Sequence, residues 1–394
     1  MREQQNTLTQ TSILEGIKDG ADYIINVLLD DEGKSRCDYN IMEGKWYPYE
    51  VPWHTGQLIN ALVEVYKLTN DHQYLSAAKK AGDWWLGLEI KDKPRLYGMV
   101  NSIHGDGVDK IVCATTTDGT PGLFNLYRVT GDKKYAALPT SAGEWMLQHL
   151  YIPEKGMLYD MVDPVSGEVM KEASLFWPEK KSQDLNDVAR PNNEGFLYKE
   201  MYEYTNNEKY KEVFLNLCDS LVEKQGPEGI WMQFTPNKMA QGSFHPRFNL
   251  WNAESLIEGY QLTGNRKYLD AALKTLVFHA KYQQKDGTFF YENFLDGTAR
   301  KDSLTGSAVS FGGLLWLRLY QLGVGDEFKE RIDLSALWIM VNRFPADHPD
   351  KNLAGAFLDL RTRVKKNKLW MTQRDIGVAF ALRFFTAYYG FRFS

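Results

Sequence analysis

Residues Thr115–Tyr135 read TTTDGTPGLFNLYRVTGDKKY, and this stretch decides the fold. A single carboxylate, Asp118, precedes an apolar segment with helical spacing. Thr130, Gly131 and Asp132 then form a polar turn, and Tyr135 opens a second helix. The same helix-turn-helix shape returns at 56–88, 194–224, 253–282 and, in degenerate form, 312–341. Tyr66, Tyr127, Tyr202 and Tyr260 each stand three residues before a threonine, and a second tyrosine follows at Tyr74, Tyr135, Tyr210 and Tyr268. The period of roughly 60 residues is longer than that of the common two-helix repeats. Each copy therefore carries a long connection to the next, and connections are where function sits.

Two further helices complete the set. Residues 12–30 place Ile13, Ile17, Ala21, Ile24, Ile25 and Leu28 on one face, as an outer helix would. Residues 374–391 form a last helix with no partner after it; pairing it with the first gives six inner and six outer helices. An open solenoid needs polar ends, and Phe384, Phe385, Tyr388, Tyr389 and Phe391 are poor caps. The expectation is an all-α, closed (α/α)6 toroid, one domain over 1–394, with the hairpin turns at one end. The long connections lie at the other end, where Gly-plus-aromatic segments at 156–170, 229–234 and 287–297 predict short β-hairpins around a mouth. Helix N-termini directed into that mouth favour negative charge there.

Composition agrees with an enzyme of this kind. Of 394 residues, 43% are hydrophobic and 13% aromatic, enough for a large core with rings left over for a cleft. A net charge of −5 gives no general attraction to nucleic acid or to an anionic membrane. The N-terminal stretch lacks the apolar core of a signal peptide, and no apolar run reaches the ~18 residues needed to cross a bilayer. A cytoplasmic protein is expected, or a periplasmic or secreted one whose signal was removed. Cys37, Cys113 and Cys218 are far apart and support neither a disulfide framework nor a zinc site. Gly105/Gly107 and Gly312/Gly313 lack the context of a nucleotide loop, and Asp106 with Asp109 is too sparse for a calcium loop. No cofactor and no metal are expected.

The predicted mouth gathers polar and aromatic residues. The loop 37–56 supplies Trp46, Tyr47, Tyr49, Trp53 and His54, either as packing or as the wall of a sugar site. Asp118 reads as a general acid or as an N-cap. Arg190, Asn192, Asn193 and Glu194 stand at the third inner helix, and His245, Arg247, Trp251, Asn252 and Glu254 at the fourth. Asp302, Ser303 and Thr305 read as a cap, and Gln373, Arg374 and Asp375 open the last inner helix, where an Arg–Asp pair reads first as structural. Trp53, Trp177, Trp231 and Trp251 are candidates for stacking on sugar faces.

On Asp118, Gly119, Thr120, Pro121, Gly122, Leu123 and Phe124, followed by Thr130 to Tyr135, the chain resembles the six-hairpin glycosidases, and among them the unsaturated glucuronyl and rhamnogalacturonyl hydrolases. The resemblance implies the barrel, a terminal uronic sugar of an oligosaccharide as substrate, and Asp118 as general acid. Those families carry a second aspartate at the preceding inner helix, where this chain reads Pro52, Trp53, His54, Thr55. Glycoside cleavage usually needs two carboxyl groups, and Glu194 and Glu254 are the candidates for the other. Hydration of a 4,5-unsaturated uronide needs only one aspartate, acting as acid and then base, with its pKa raised by burial. Arg190, Arg247, Arg374 and His245 are candidates to hold the uronate. The alternatives are a 2-epimerase of the N-acylglucosamine type, using His54 and His245, a polysaccharide lyase, and a non-catalytic glycan-binding barrel.

Overall fold

The computed structural model describes residues 8–105, 109–172, 184–191, 193–365 and 367–393. In chain order its helices are α1 (Gln10–Tyr23), α2 (Val51–Thr69), α3 (His72–Leu86), α4 (Cys113–Thr130), α5 (Lys134–His149), α6 (Leu185–Val188), α7 (Leu197–Thr205), α8 (Glu208–Lys224), α9 (Pro246–Thr263), α10 (Arg266–Ala280), α11 (Gly306–Gln321), α12 (Lys329–Val341) and α13 (Ile376–Phe393). Short α6 lies in a connection. The inner ring is α2, α4, α7, α9, α11 and α13, and α13 packs on α2 to close it. The outer ring is α1, α3, α5, α8, α10 and α12. This is the (α/α)6 toroid.

The repeated motif has a direct structural cause. Asn70, Gly131, Asn206 and Gly264 end four inner helices in the left-handed region, each donating its N–H back to the carbonyl of the tyrosine four residues earlier. The threonine hydroxyl bonds the last turn, as Thr69 does to the Val65 carbonyl at 2.8 Å. The second tyrosine then ties neighbouring outer helices together: Tyr74 donates to Asp22, Tyr135 to Asp83, and Tyr268 to Asp219. Each hairpin is thus pinned to the one before it.

The inner helices α2, α4, α9 and α11 are buried nearly all round over their first three turns, as helices between an outer ring and a shared axis must be. α2 and α4 touch backbone to backbone: a Cβ on Gly56 would stand 2.1 Å from the Gly119 carbonyl oxygen, and one on Gly122 2.1 Å from that of Gly56. At the join, Phe384, Phe385 and Tyr388 are buried, and Gln10 on α1 donates to the hydroxyl of Tyr389 at 2.9 Å. The helix predicted over 12–30 is shorter; α1 ends at Tyr23 and continues as one π-helical turn, Ile24–Leu28.

The strands are β1 (Asp38–Asn40), β2 (Lys45–Tyr47), β3 (Ile111–Val112), β4 (Tyr151–Ile152), β5 (Met157–Tyr159), β6 (Met161–Val162), β7 (Ala189–Arg190), β8 (Ser243–Phe244), β9 (Asn293–Phe294), β10 (Leu360–Lys365) and β11 (Lys368–Arg374). All pair antiparallel at the end of the barrel that carries the long connections, β3 with β6, β4 and β7 on either side of β5, and β8 with β9. The largest sheet has the order β10-β11-β1-β2. Segments 156–170 and 287–297 supply strands as expected, but 229–234 forms turns instead, because Trp231 is drawn into the core with its indole N–H on the Leu221 carbonyl at 2.9 Å. Among the described residues no helix is long and apolar enough to cross a membrane.

Candidate active site

A cavity of about 1180 Å³ opens at the strand-bearing end of the barrel. Six carboxylates line it, Glu50, Asp118, Asp160, Asp184, Asp187 and Glu194, together with Arg190, Arg247, Arg361, Arg374, His104, His245, Trp53 and Trp251.

Asp118 is not a helix cap. α4 begins at Cys113 after Val112, so Asp118 stands in its second turn, and the helix end is capped from elsewhere, by an oxygen of Asp160 that accepts from the Ala114 N–H at 3.1 Å. Asp118 is 7% exposed, and its Oδ1 is buried without a hydrogen-bond partner. Gln57 on α2 holds the backbone beneath it, donating to the Asp118 carbonyl at 2.5 Å. Burial first, and the negative charge of Glu194 second, push the Asp118 carboxyl well above the usual range.

Glu194 reaches the same place by a different route. Pro121 has no N–H, so the Thr117 carbonyl lacks its helical donor. The chain at Gly195, with φ of 70°, packs against that oxygen so closely that a Cβ there would stand 2.1 Å from it. The close approach sets Glu194 beside Asp118, in a short 3-10 turn ahead of α7. Burial pushes Glu194 up to about 7, with the Arg190 guanidinium opposing the rise. Arg190 is shared, 3.0 Å from Asp160 and 3.6 Å from Glu194. One arginine thus serves several acids, and the Asp118–Glu194 pair retains a proton.

The opposite wall is cationic. Arg247 lies 5.2 Å above the ring of Trp53 and 5.3 Å above that of Trp251, and donates to Ser307 at 2.8 Å. Burial and the nearby charge of Arg374 pull its pKa down to about 10. His245 caps α9, its Nδ1 accepting from the Arg247 N–H at 3.1 Å, which leaves the ring proton on Nε2, an atom with no partner. Burial and three surrounding arginines keep this imidazole neutral.

The cavity brings together Asp118, Glu194, Tyr49, Trp53, Arg190, His245, Arg247, Trp251 and Arg374 of the residues singled out in the sequence. Three others lie behind or below its wall. His54 is fully buried, its Nδ1 2.5 Å from Asp375, while Arg374 donates to its Nε2 at 3.3 Å. It braces Arg374 instead of facing the cavity. Asn193 is turned to the sulfur of Cys218 at 3.2 Å. Glu254 stands nine residues into α9, more than two turns below the mouth, paired with Arg383 at 2.8 Å and Arg318 at 3.6 Å. Arg374 pairs with Asp38 at 3.0 Å and not with its neighbour Asp375. Thr305 caps α11 as expected. Trp177 and Asn192 lie outside the described residues.

The sequence reading missed Glu50, Asp160, His104, Tyr291 and Arg361. Glu50 had a signal: it directly precedes α2, where the resembled families place their second aspartate. It adopts left-handed backbone, with φ of 50°, and its carboxylate stands 3.4 Å from the His104 ring. Cys37, His54 and Asp375 bring a thiol, an imidazole and a carboxylate within 4.8 Å of one another. Both Asp375 oxygens are already engaged, one by Ser35 and one by His54, and Arg374 adds a positive charge alongside. This set orders the arginine.

A helical toroid with paired buried carboxyls in a ring-lined cavity defines a carbohydrate-active enzyme of the glycosidase type. The family model for the β-L-arabinofuranosidase GH127 catalytic domain matches residues 25–225, and the chain belongs to that family. No curated protein matches the chain. Among solved structures the fold is shared with a D-mannose isomerase (13% identity, all of both chains covered, TM-score 0.70). It is shared also with a cellobiose 2-epimerase from Bacillus thermoamylovorans B4167 (13% identity, 95% of this chain and 99% of that one, TM-score 0.71). An unsaturated glucuronyl hydrolase specific for heparin is similar at 14% identity, over 98% of each chain, with a TM-score of 0.68.

Proposed function

We propose that this chain, acting as one catalytic unit over 1–394, hydrolyses the terminal uronic sugar of an oligosaccharide, of the 4,5-unsaturated type, with Asp118 as general acid. The observation that carries the carboxylate is Arg247. It is a buried guanidinium between two indoles, and among the described residues no carboxylate lies within ion-pair distance of it. The acid that acts on it most, Asp359, is pushed toward the protonated form by burial; a buried cation so poorly matched is unfavourable, and a uronate carboxylate reaching Arg247 beside Arg374 relieves it.

The chemistry runs through the acidic wall. Protonated Asp118 delivers its proton to C4 of the double bond while charge develops at C5 and the ring oxygen. Water then adds at C5 and gives a proton back to Asp118. The hemiketal so formed opens and releases the rest of the oligosaccharide. Glu194, coupled to Asp118, keeps that carboxyl protonated near neutrality. The neutral Nε2–H of His245 donates to a sugar oxygen.

The test is turnover of a 4,5-unsaturated uronyl disaccharide, read as loss of the ultraviolet absorbance of its double bond, by wild type and by Asp118→Asn. A p-nitrophenyl β-L-arabinofuranoside serves as the neutral comparison, since the family match favours that sugar. Turnover of the uronide that is lost in the variant supports the reading. Turnover of the arabinofuranoside alone sinks the uronic substrate and leaves the glycosidase, and interconversion of a free reducing sugar overturns hydrolysis altogether.

A further inference from the structure

At the start of α2, where the resembled families carry their second aspartate, this chain places Trp53. Two guanidinium groups from different elements lie over its ring, Arg247 of α9 at 5.2 Å and Arg374 of β11 at 5.8 Å. Other rings press on it edge to face, Trp251 at 5.7 Å and His54 at 4.4 Å. Trp53 is 5% exposed, so little of it is open to the cavity that a sugar finds no face to stack on.

The indole N–H does not explain this placement. The fully buried Trp85, Trp231 and Trp316 each donate to a backbone carbonyl, at 2.8, 2.9 and 3.2 Å. The Nε1 of Trp53 is enclosed with no acceptor. A buried donor left unpaired is a cost, so the ring and not the N–H ties this residue to its neighbours.

Arg247 is the neighbour that needs the ring. Its guanidinium donates to Ser307 at 2.8 Å, and its Nε is enclosed without a partner. Arg374 repels it and, after burial, does most to lower its pKa. The acids nearby are engaged elsewhere: Asp38 pairs with Arg374 at 3.0 Å, and Asp375 has its oxygens on Ser35 and His54. Asp359, the acid that acts on Arg247 most, is pushed toward the protonated form by burial, and Glu50 acts on it less. A tryptophan face attracts a cation more than other rings do, and most in a desolvated place. Among the described residues Trp53 is the one ring that both arginines share.

We infer that Trp53 is a positioning residue, whose indole holds Arg247 beside Arg374 against their mutual repulsion. The pair so held presents two guanidinium groups to one carboxylate and selects an anionic terminal sugar over a neutral one. The kinetic part rests on the uronyl hydrolase reading above; the packing part does not.

Trp53→Leu and Trp53→Phe, each made in wild type and in Arg247→Met, test both parts. For the 4,5-unsaturated uronyl disaccharide, Trp53→Leu is expected to raise KM about tenfold with kcat within about threefold. Trp53→Phe keeps a ring face and removes the unpaired N–H, so it should recover most of the loss. In Arg247→Met, the same Trp53→Leu change is expected to lower kcat/KM by less than about twofold. An equal loss in both backgrounds, which direct stacking on the sugar would give, overturns the proposal. The same cycle in urea unfolding needs no substrate: Trp53→Leu is expected to lower the midpoint less in Arg247→Met than in wild type, and equal shifts overturn the positioning role. Should Trp53→Leu fail to fold, singly and multiply fluorinated tryptophans at position 53 keep the shape and drain the π face. Their effects are expected to grow with fluorination in wild type and to vanish in Arg247→Met, and growth in both backgrounds counts against the proposal. A uronide that is not turned over sinks the substrate reading and leaves the unfolding cycle to decide the role of Trp53, so the two fail separately.

Discussion

Arg190 and Glu194 face each other across 3.6 Å where the third inner helix begins, and Asp160 competes for the same guanidinium at 3.0 Å. The arginine is therefore spread over more negative charge than it can neutralise, and Glu194 stays up at about 7 because burial outweighs it. An acid raised in the folded state binds a proton that the unfolded chain, near 4.5, has already released. Stability contributed by that proton is present at low pH and lost as pH rises from about 4.5 through about 7.

Glu194→Gln removes this dependence. Wild type is expected to lose on the order of 1–3 kcal/mol relative to the variant between acid and mildly alkaline pH, read as urea midpoints across that range. Parallel profiles for the two proteins would show that Glu194 ionises freely in the fold.

Asp118→Asn is expected to lower kcat by about 10³ with KM little changed, because the amide fills the same space but delivers no proton. Its melting temperature should equal or exceed that of wild type, since the carboxyl it replaces is buried with Oδ1 unpartnered. A variant that melts well below wild type would mean that Asp118 is a structural group.

The barrel was legible because its cause is local and repeated. A left-handed Asn or Gly, a capping Asp or Asn and a bonded tyrosine recur at four hairpin turns, so spacing alone exposes them. The site was legible only in part, because its walls come from connections that the repeat does not constrain. Glu194 could be read near the third inner helix, but its meeting with Asp118 depends on Pro121 denying the Thr117 carbonyl its helical donor and on Gly195 resting against that oxygen, a contact between residues 78 apart in sequence. His54 was misassigned because Trp53 and His54 are adjacent in sequence but turn to opposite sides of the α2 terminus, the indole into the cavity and the imidazole onto Asp375. Arg361 went unnoticed because the strands β10 and β11 break the helical rhythm used to find the mouths.

The contact between α2 and α4 makes glycine indispensable at Gly56. Gly56→Ala sets a methyl carbon 2.1 Å from the Gly119 carbonyl oxygen, a backbone atom that cannot turn aside. A loss of more than about 3 kcal/mol is expected, with activity falling as well, since α4 carries Asp118. Gly131→Ala is the control: its φ is 71° but nothing lies within 4 Å, so only the left-handed penalty of about 1 kcal/mol applies. Similar losses for both in chemical denaturation would refute backbone contact between the helices.

His54 offers the last test, because its position separates holding from catalysis. Arg374 donates to Nε2 at 3.3 Å, so the ring proton belongs to Nδ1 and goes to Asp375 at 2.5 Å. His54→Ala leaves the buried Asp375 without its partner and Arg374 without its acceptor, at about 2–4 kcal/mol of stability. The guanidinium then rests on Asp38 alone, and KM for the uronide is expected to rise about tenfold while kcat moves less than about threefold. His54→Gln restores an acceptor within reach of Arg374 and should recover much of the KM. A fall in kcat as deep as that of Asp118→Asn, with KM unchanged and no recovery in His54→Gln, would make His54 a participant in the chemistry and revive the two-histidine epimerase.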